Sequence, residues 1–126
     1  MNRLSATEEQ EHLALMDWVR LHERRYPALR LLLHIPNGGS RHILEAAKFK
    51  RLGVRPGVPD LFLAYPHAGF HGWWCEMKAK TGRISKEQQW WLRELTTAGY
   101  YTCVAYGWDS ARTHLLHYLK IGERHD

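Results

Sequence analysis

The hydrophobic and polar positions of the N-terminal segment repeat with the period of a helix. Residues 8–26 contain neither glycine nor proline, and Thr7 followed by Gln10 has the spacing of a capping box. The apolar stripe of this segment consists of Leu15, Trp18 and Val19. These features predict a first helix that begins after Thr7 and ends before Pro27.

The next segments alternate between strand-like apolar runs and a helical pattern. The run Ala28–Pro36 predicts a buried strand, and the turn sequence "NGGS" leads to Ser40 as the N-cap of a helix that stops at Gly53. The runs "PDLFLAYP" and "GWWCEMKA" predict two antiparallel strands, because the short segment "HAGFH" joins them.

The C-terminal third predicts a helix, a strand and a second helix. Ser85 and Gln88 form another capping box, which opens a helix that Gly99 terminates. The run "YYTCVAY" predicts a strand, and Asp109 is the expected cap of a last helix that extends to Leu119. The resulting order, α-β-α-β-β-α-β-α, indicates an α/β domain with a mixed central sheet flanked by helices.

Length and composition predict one compact domain over residues 1–126, because 44% of the residues are hydrophobic and no tract has low complexity. The formal net charge of +5 favours a polyanionic partner, nucleic acid first. Cys75 and Cys103 lack the spacing of a structural zinc site or of a disulfide-rich secreted domain. The polar start "MNRLSATEEQ" and the absence of an apolar run of ~20 residues suggest a cytoplasmic protein.

Charged residues within the two central strand-like runs suggest a reactive edge. Side chains alternate along a strand, so Glu76 and Lys78 face one side while Cys75 and Met77 face the other. If Asp60 approaches from the adjacent strand, its carboxylate and that of Glu76 can bind Mg²⁺ or Mn²⁺, and Lys78 flanks the ion. Such an ion polarises a phosphodiester and activates water, which predicts nuclease chemistry.

The same residues also permit a purely structural interpretation. Asp60 can cap a turn, and Glu76 and Lys78 can form an ion pair on a partly exposed strand. In the first helix, Glu11 lies one turn before Leu15 on the inward side, where an acid is a candidate ligand. The alternative places Glu11 in a solvated first turn, where acids complement the helix dipole. Spacing alone leaves these alternatives open.

Four motifs in order, "PNGGSRH", "GVRPGVPDL", "CEMK" and "GRISKEQQWW", resemble the VRR-NUC (virus-type replication-repair nuclease) family of the PD-(D/E)xK superfamily. The resemblance covers residues 11–106 and implies a restriction-endonuclease-like core. It also implies metal-dependent hydrolysis of phosphodiester bonds in branched DNA, such as four-way (Holliday) junctions in DNA repair. Small members of this family imply a homodimer, here in the cytoplasm of a bacterial or phage-infected cell.

The resemblance assigns roles to individual positions. Asp60 and Glu76 match metal-binding acids, Lys78 the catalytic lysine, and Gln88 the glutamine of the following helix. Gln88 also lies on the face of the helix that carries apolar residues, which suits it to reach inward. The helix-1 glutamate of the family corresponds to Glu11, although Glu8 and Glu9 leave this register open. The candidate metal ligands are therefore Asp60, Glu76, the backbone carbonyl of Met77, and Glu11.

Basic residues near these motifs are candidate contacts to DNA phosphates. They are Arg41, Lys48, Lys50, Arg51, Arg55, Lys80 and Arg83. A solvated surface is the alternative interpretation of such a charge run. Trp90 falls off the inward face of its helix and is a candidate interface residue. Three alternatives to a junction nuclease remain: a catalytically silent DNA-binding module, a sequence-specific endonuclease, and a flap or nicking nuclease.

Overall fold

The computed structural model describes residues 6–36 and 43–123. The helices are α1 Glu8–His22, α2 Ile43–Arg51, α3 Lys86–Thr97 and α4 Trp108–Lys120, with a 3-10 helix at Pro27–Leu31. The strands are β1 Leu32–His34, β2 Leu61–Leu63, β3 Trp73–Lys78 and β4 Tyr101–Tyr106. The predicted order of helices and strands is confirmed, as is the α/β class.

The four strands form one mixed sheet in the order β1-β2-β3-β4. β2 pairs antiparallel with β3, as their short connection predicts, and it also pairs antiparallel with β1. β3 and β4 run parallel, which requires a crossover, and α3 provides it. The sheet therefore brings the start of β2 beside the middle of β3.

The hydrophobic core lies where α1 and α4 meet the sheet. Its fully buried residues include Leu15, Val19, Leu61, Leu63, Trp73, Cys75, Met77, Leu115 and Tyr118. α3 contributes no fully buried residue. On β3 the residues that join this core alternate with Glu76 and Lys78, so the sequence alternation places the two charged residues on the opposite side of the strand.

The two capping boxes predicted at the starts of α1 and α3 are confirmed by their hydrogen bonds. The Thr7 side chain accepts a hydrogen bond from the Gln10 amide at 3.0 Å, and the Gln10 side chain accepts one from the Thr7 amide at 2.8 Å. Ser85 and Gln88 form the same reciprocal pair at the start of α3. Such pairs depend only on local sequence, which explains why they could be predicted.

The expectation of a strand over Ala28–Pro36 is wrong in its first half. Pro27 starts a 3-10 helix, and the strand covers only Leu32–His34. Leu29 and Leu32 are buried while Leu31 is exposed. A burial period of three matches the three residues per turn of a 3-10 helix, whereas a strand buries every second residue. The proposed N-cap Ser40 lies outside the described residues.

The start of α4 also differs from the expectation that Asp109 caps it. The N-cap is Gly107, at φ 97°, and Asp109 lies in the first turn, where it pairs with Arg112. The Trp108 amide donates a hydrogen bond at 3.0 Å to Glu11 of α1. Because a carboxylate from another helix satisfies this free amide, the chain needs no cap from its own first turn.

We expect Glu11→Ala to lower the free energy of unfolding by about 1 kcal/mol, the usual effect of losing a helix cap. The exposed Glu9 of the same turn provides a matched control, since Glu9→Ala keeps the contact to α4. Thermal unfolding by circular dichroism checks both variants. Equal melting temperatures for the two variants would contradict a capping role for Glu11.

Candidate active site

Asp60 is held at the start of β2 by contacts to two neighbouring strands. Its carboxylate Oδ2 accepts a hydrogen bond from the Met77 amide at 2.9 Å. Its backbone carbonyl accepts one from the Ile35 amide at 2.7 Å. The preceding Pro59 is buried and restricts the backbone. Asp60 is therefore fixed against β3, as the sequence predicted from strand pairing.

Glu76 of β3 is a buried acid, with only 2% of its surface exposed. Its Oε2 atom accepts a hydrogen bond from the side-chain amide of Gln88 at 3.1 Å and lies 3.8 Å from the Lys78 ammonium. Its Oε1 atom is buried and has no hydrogen-bond partner within the described part of the chain. Oε2 is thus hydrogen-bonded to Gln88 and paired with the Lys78 charge, while Oε1 has no hydrogen-bond partner among the described residues.

Burial raises the pKa of Glu76 from its ordinary value of 4.5 to about 8. The nearby Asp60 carboxylate adds to this increase through repulsion, and Lys78 opposes it. Burial raises this pKa because the carboxylate loses its hydration, which disfavours the charged form. The site therefore favours either a proton on Glu76 or a positive charge beside it.

Glu8 is the acid of α1 that joins this site. Ligand oxygens of Glu8, Asp60 and Glu76 all lie within 4.8 Å of one another. The expectation that Glu11 fills this place is not met, because the Glu11 carboxylate binds the Trp108 amide at the start of α4. Glu8 is the first residue of α1, one turn before Glu11, so the two acids project from one side of the helix toward different neighbours.

Gln88 both caps α3 and contacts the acidic cluster, two roles between which the sequence alone could not decide. Its backbone amide and side-chain oxygen complete the capping box with Ser85, while its side-chain nitrogen donates to Glu76. The cap fixes the position of the Gln88 side chain at the first turn of α3. The start of this helix is therefore tied to the acidic cluster.

Two histidines border the cluster, and sequence analysis did not identify them. The His34 Nδ1 atom lies 3.1 Å from the Asp60 carbonyl, and the His12 and His34 rings meet edge to face at 4.5 Å. Burial and the neighbouring His34 lower the pKa of His12, against the effect of Asp60. The sequence carries no local signal for this pair, since it depends on how α1 packs beside β1.

The predicted phosphate-binding residues lie on segments that lead into or out of the site. Those at the end of α2, before β2 and after β3 are exposed: Lys48, Lys50, Arg51, Arg55, Lys80 and Arg83. Arg41 lies outside the described residues. The Met77 amide contacts Asp60, so its backbone is next to the cluster, and a ligand role for its carbonyl stays a prediction.

The comparisons with known proteins agree with this geometry. The family model of the VRR-NUC domain matches residues 5–109. The chain belongs to the VRR-NUC family. A VRR-NUC domain implies a nuclease-type function with DNA as the substrate. The acidic cluster, which could bind a metal ion, lies within the matched region.

A solved structure of a VRR-NUC domain protein is similar to the whole fold. The TM-score is 0.79 at 28% sequence identity, and the match covers 94% of this chain and 92% of the other. No curated protein is significantly similar to this VRR-NUC chain. Among the helices of residues 6–36 and 43–123, none has the length and hydrophobicity of a membrane span.

We expect Glu76→Gln to stabilise the metal-free VRR-NUC protein at alkaline pH. Below 4.5 the carboxyl is protonated in both the folded and the unfolded chain, so its charge has no cost. Between 4.5 and about 8 the unfolded chain loses the proton first, so stability falls as pH rises, and above about 8 the cost is constant. The amide removes this cost because it carries no charge.

Thermal unfolding in EDTA at pH 5 and pH 9 checks this expectation. The melting temperature of Glu76→Gln should exceed that of the wild type by several degrees at pH 9, since 1 kcal/mol corresponds to roughly 3–6 °C in a chain of this size. The difference should shrink at pH 5. The exposed Glu94 of α3 provides the control, as Glu94→Gln should leave both melting temperatures unchanged. A Glu76→Gln difference that is equal at both pH values would contradict the buried-charge interpretation.

Proposed function

We propose that this VRR-NUC protein is a divalent-metal-dependent endodeoxyribonuclease that cleaves branched DNA, with Mg²⁺ or Mn²⁺ as its cofactor. The observation that carries the proposal is the buried carboxylate of Glu76, which has an oxygen within 4.8 Å of oxygens of Asp60 and Glu8. Its Oε1 atom has no hydrogen-bond partner among the described residues. A buried acceptor without a donor is costly. A cation at this place would satisfy it.

The donor set fits a hard cation. Three carboxylates within 4.8 Å of one another repel when ionised, and only oxygen ligands are present among them. Glu8, Asp60 and Glu76 would hold the ion, with the Met77 carbonyl as a further candidate. When bound, a divalent cation would polarise the scissile phosphodiester and activate water.

The remaining groups of the site orient these carboxylates and supply charge. The Met77 amide fixes the rotation of the Asp60 carboxylate, because it donates to one of the two oxygens. Gln88 and Lys78 both approach Oε2 of Glu76, and Oε1 has no hydrogen-bond partner among the described residues. The Lys78 ammonium is a compact positive charge that would stabilise the additional negative charge on phosphorus during hydrolysis.

Branched DNA as the substrate and a homodimer as the active form complete the proposal. A four-way junction is resolved by two symmetric incisions, and one chain carries one acidic cluster among its described residues. A two-fold dimer would place two such clusters in a symmetric arrangement. A nuclease that makes a single incision at a flap or nick is the second candidate, and a silent DNA-binding module is the third.

We expect Asp60→Asn, Glu76→Gln and Lys78→Ala each to reduce cleavage by roughly 100-fold or more. The first two variants lose a carboxylate that would hold the cation, and the third loses the ammonium that would stabilise the charge on phosphorus. DNA affinity should change little, since most of it comes from cations that contact phosphates. Labelled junction, flap, duplex and single-stranded DNA, with and without Mg²⁺ or Mn²⁺, provide the measurement.

Glu94→Gln controls for the loss of an acid elsewhere on the surface, and circular dichroism controls for folding. Near wild-type cleavage in any two of the three variants would show that the site is wrong. Wild-type binding without cleavage of any of these substrates would favour the silent DNA-binding module. Cleavage of flaps but not of junctions would favour the single-incision nuclease.

Glu8 and Glu11 allow a second test of the metal site, because only Glu8 lies in the cluster. Glu8→Gln should raise the Mg²⁺ concentration for half-maximal cleavage on the order of 10-fold or more, as expected when a metal site loses one of its groups. Glu11→Gln should leave this concentration unchanged at temperatures at which the variant is folded. The opposite pattern would make Glu11 the ligand.

A further inference from the structure

A cleft of about 570 Å³ opens between the end of α2 and the first turns of α3. Its chemically distinctive lining residues are Lys50, Arg55, Lys86, Glu87, Trp90 and Trp91. The proposed catalytic residues do not line it. Glu87, however, directly precedes Gln88, so neighbouring residues of α3 serve the cleft and the acidic cluster.

Tight contacts between α3 and the loop before β2 fix the shape of this cleft. The Trp91 indole N–H donates to the Pro56 carbonyl at 3.0 Å. Gly57 has φ +87°, and a Cβ atom there would lie 2.6 Å from the Glu87 carbonyl carbon. Only glycine allows this approach without a shift of the backbone. The cleft is therefore formed before any ligand binds.

Trp90 presents an aromatic surface to the cleft. It is 49% exposed, although large aromatic side chains are usually well buried. Its ring packs edge to face on Trp91, with the centroids 5.4 Å apart and an interplanar angle of 89°. This contact restrains the Trp90 ring, while about half of the residue's surface stays exposed to a ligand. A planar ligand could therefore stack on it with little loss of side-chain entropy.

The charge of the cleft favours an anion. Three cations and one acid line it. Among residues 6–36 and 43–123, no ion pair includes Lys50, Arg55 or Lys86. Exposed cations beside a restrained aromatic ring are the combination that binds single-stranded nucleic acid, where bases stack and phosphates meet positive charge.

We propose that this cleft binds an unpaired nucleotide of the DNA substrate, with its base stacked on Trp90 and the adjoining phosphates near Lys50, Arg55 and Lys86. The inference rests on the proposed function, since it names the part of the DNA that the nuclease holds beside its site. A second copy of the chain fits less well, because a two-fold contact through Trp90 would bring these cations close to their own copies. An unpaired base stacks freely, whereas a paired base is already covered by its neighbours.

The test measures DNA binding in the Asp60→Asn background, in EDTA, so that cleavage cannot contribute. The probes are a 12-nucleotide oligothymidine, a strand of equal length made of abasic residues, and a duplex of equal length. Trp90→Leu keeps an apolar side chain but removes stacking, and it should weaken binding of the oligothymidine by roughly 5- to 100-fold. Binding of the abasic strand and of the duplex should change by less than about twofold, because neither offers a free base.

Trp90→Phe should restore most of the affinity for oligothymidine, because phenylalanine also stacks. Leu21→Ala is the control for loss of an exposed apolar residue, since Leu21 of α1 is 80% exposed. An equal loss on all three probes, or no loss on the oligothymidine, would overturn the proposal. A Trp90→Leu variant with half the wild-type mass in light scattering would also overturn it, in favour of a subunit interface.

These results are separable from the test of the nuclease itself. If the wild type cleaves DNA but Trp90→Leu leaves oligothymidine binding unchanged, the cleft assignment fails and the proposed function stands. If the wild type cleaves no DNA in Mg²⁺ or Mn²⁺, the proposed function fails whatever the cleft binds.

Discussion

The burial of Glu76 is the constraint on which the rest of the site depends. A carboxylate with 2% of its surface exposed, beside a second acid, is unfavourable without compensation. Lys78 and Gln88 provide part of that compensation at one oxygen and leave the other without a partner within the described residues. The arrangement is therefore incomplete as a structural ion pair, whereas it is well suited to hold a cation.

The fold holds Glu76 in this unfavourable environment through contacts that involve the backbone. The hydrogen bond from Met77 to Asp60 links β2 with β3, so the two acids keep their relative positions. The capping box at Ser85 holds Gln88 against Glu76 from the other side. Each contact uses a group whose position is set by secondary structure, which restricts the side chains without adding another buried charge.

Much of this arrangement could be predicted from the sequence because it depends on local periodicity. Strand alternation placed Glu76 and Lys78 on one face, and the capping boxes located the starts of α1 and α3. The resemblance to the VRR-NUC motifs singled out Asp60 before β2. The sequence signals that succeeded were those in which the relevant residues lie within a few positions of one another, or on adjacent strands joined by a short connection.

Apart from the strand predicted over Ala28–Pro36, the signals that failed depend on how distant elements pack. Glu8 and Glu11 are separated by one helical turn, and only the position of α1 relative to α4 and the sheet decides which acid reaches the cluster. The contact between Glu11 and the Trp108 amide also explains why α4 starts before Asp109, its predicted cap. The His12–His34 contact likewise joins α1 to β1 across a gap in sequence. No window of the sequence contains both partners with a recognisable spacing.

The start of α3 shows how one element can couple two chemically different surfaces. Gln88 reaches the acidic cluster on one side, while Glu87 and Trp90 line the cationic cleft on the other. Gly57 holds the loop that leads to Asp60 against Glu87, so the cleft and the cluster share their supporting backbone. A ligand that moved this turn would displace Gln88 and alter the restraint on Glu76. A preformed cleft avoids that displacement, because its contacts are already made in the free protein.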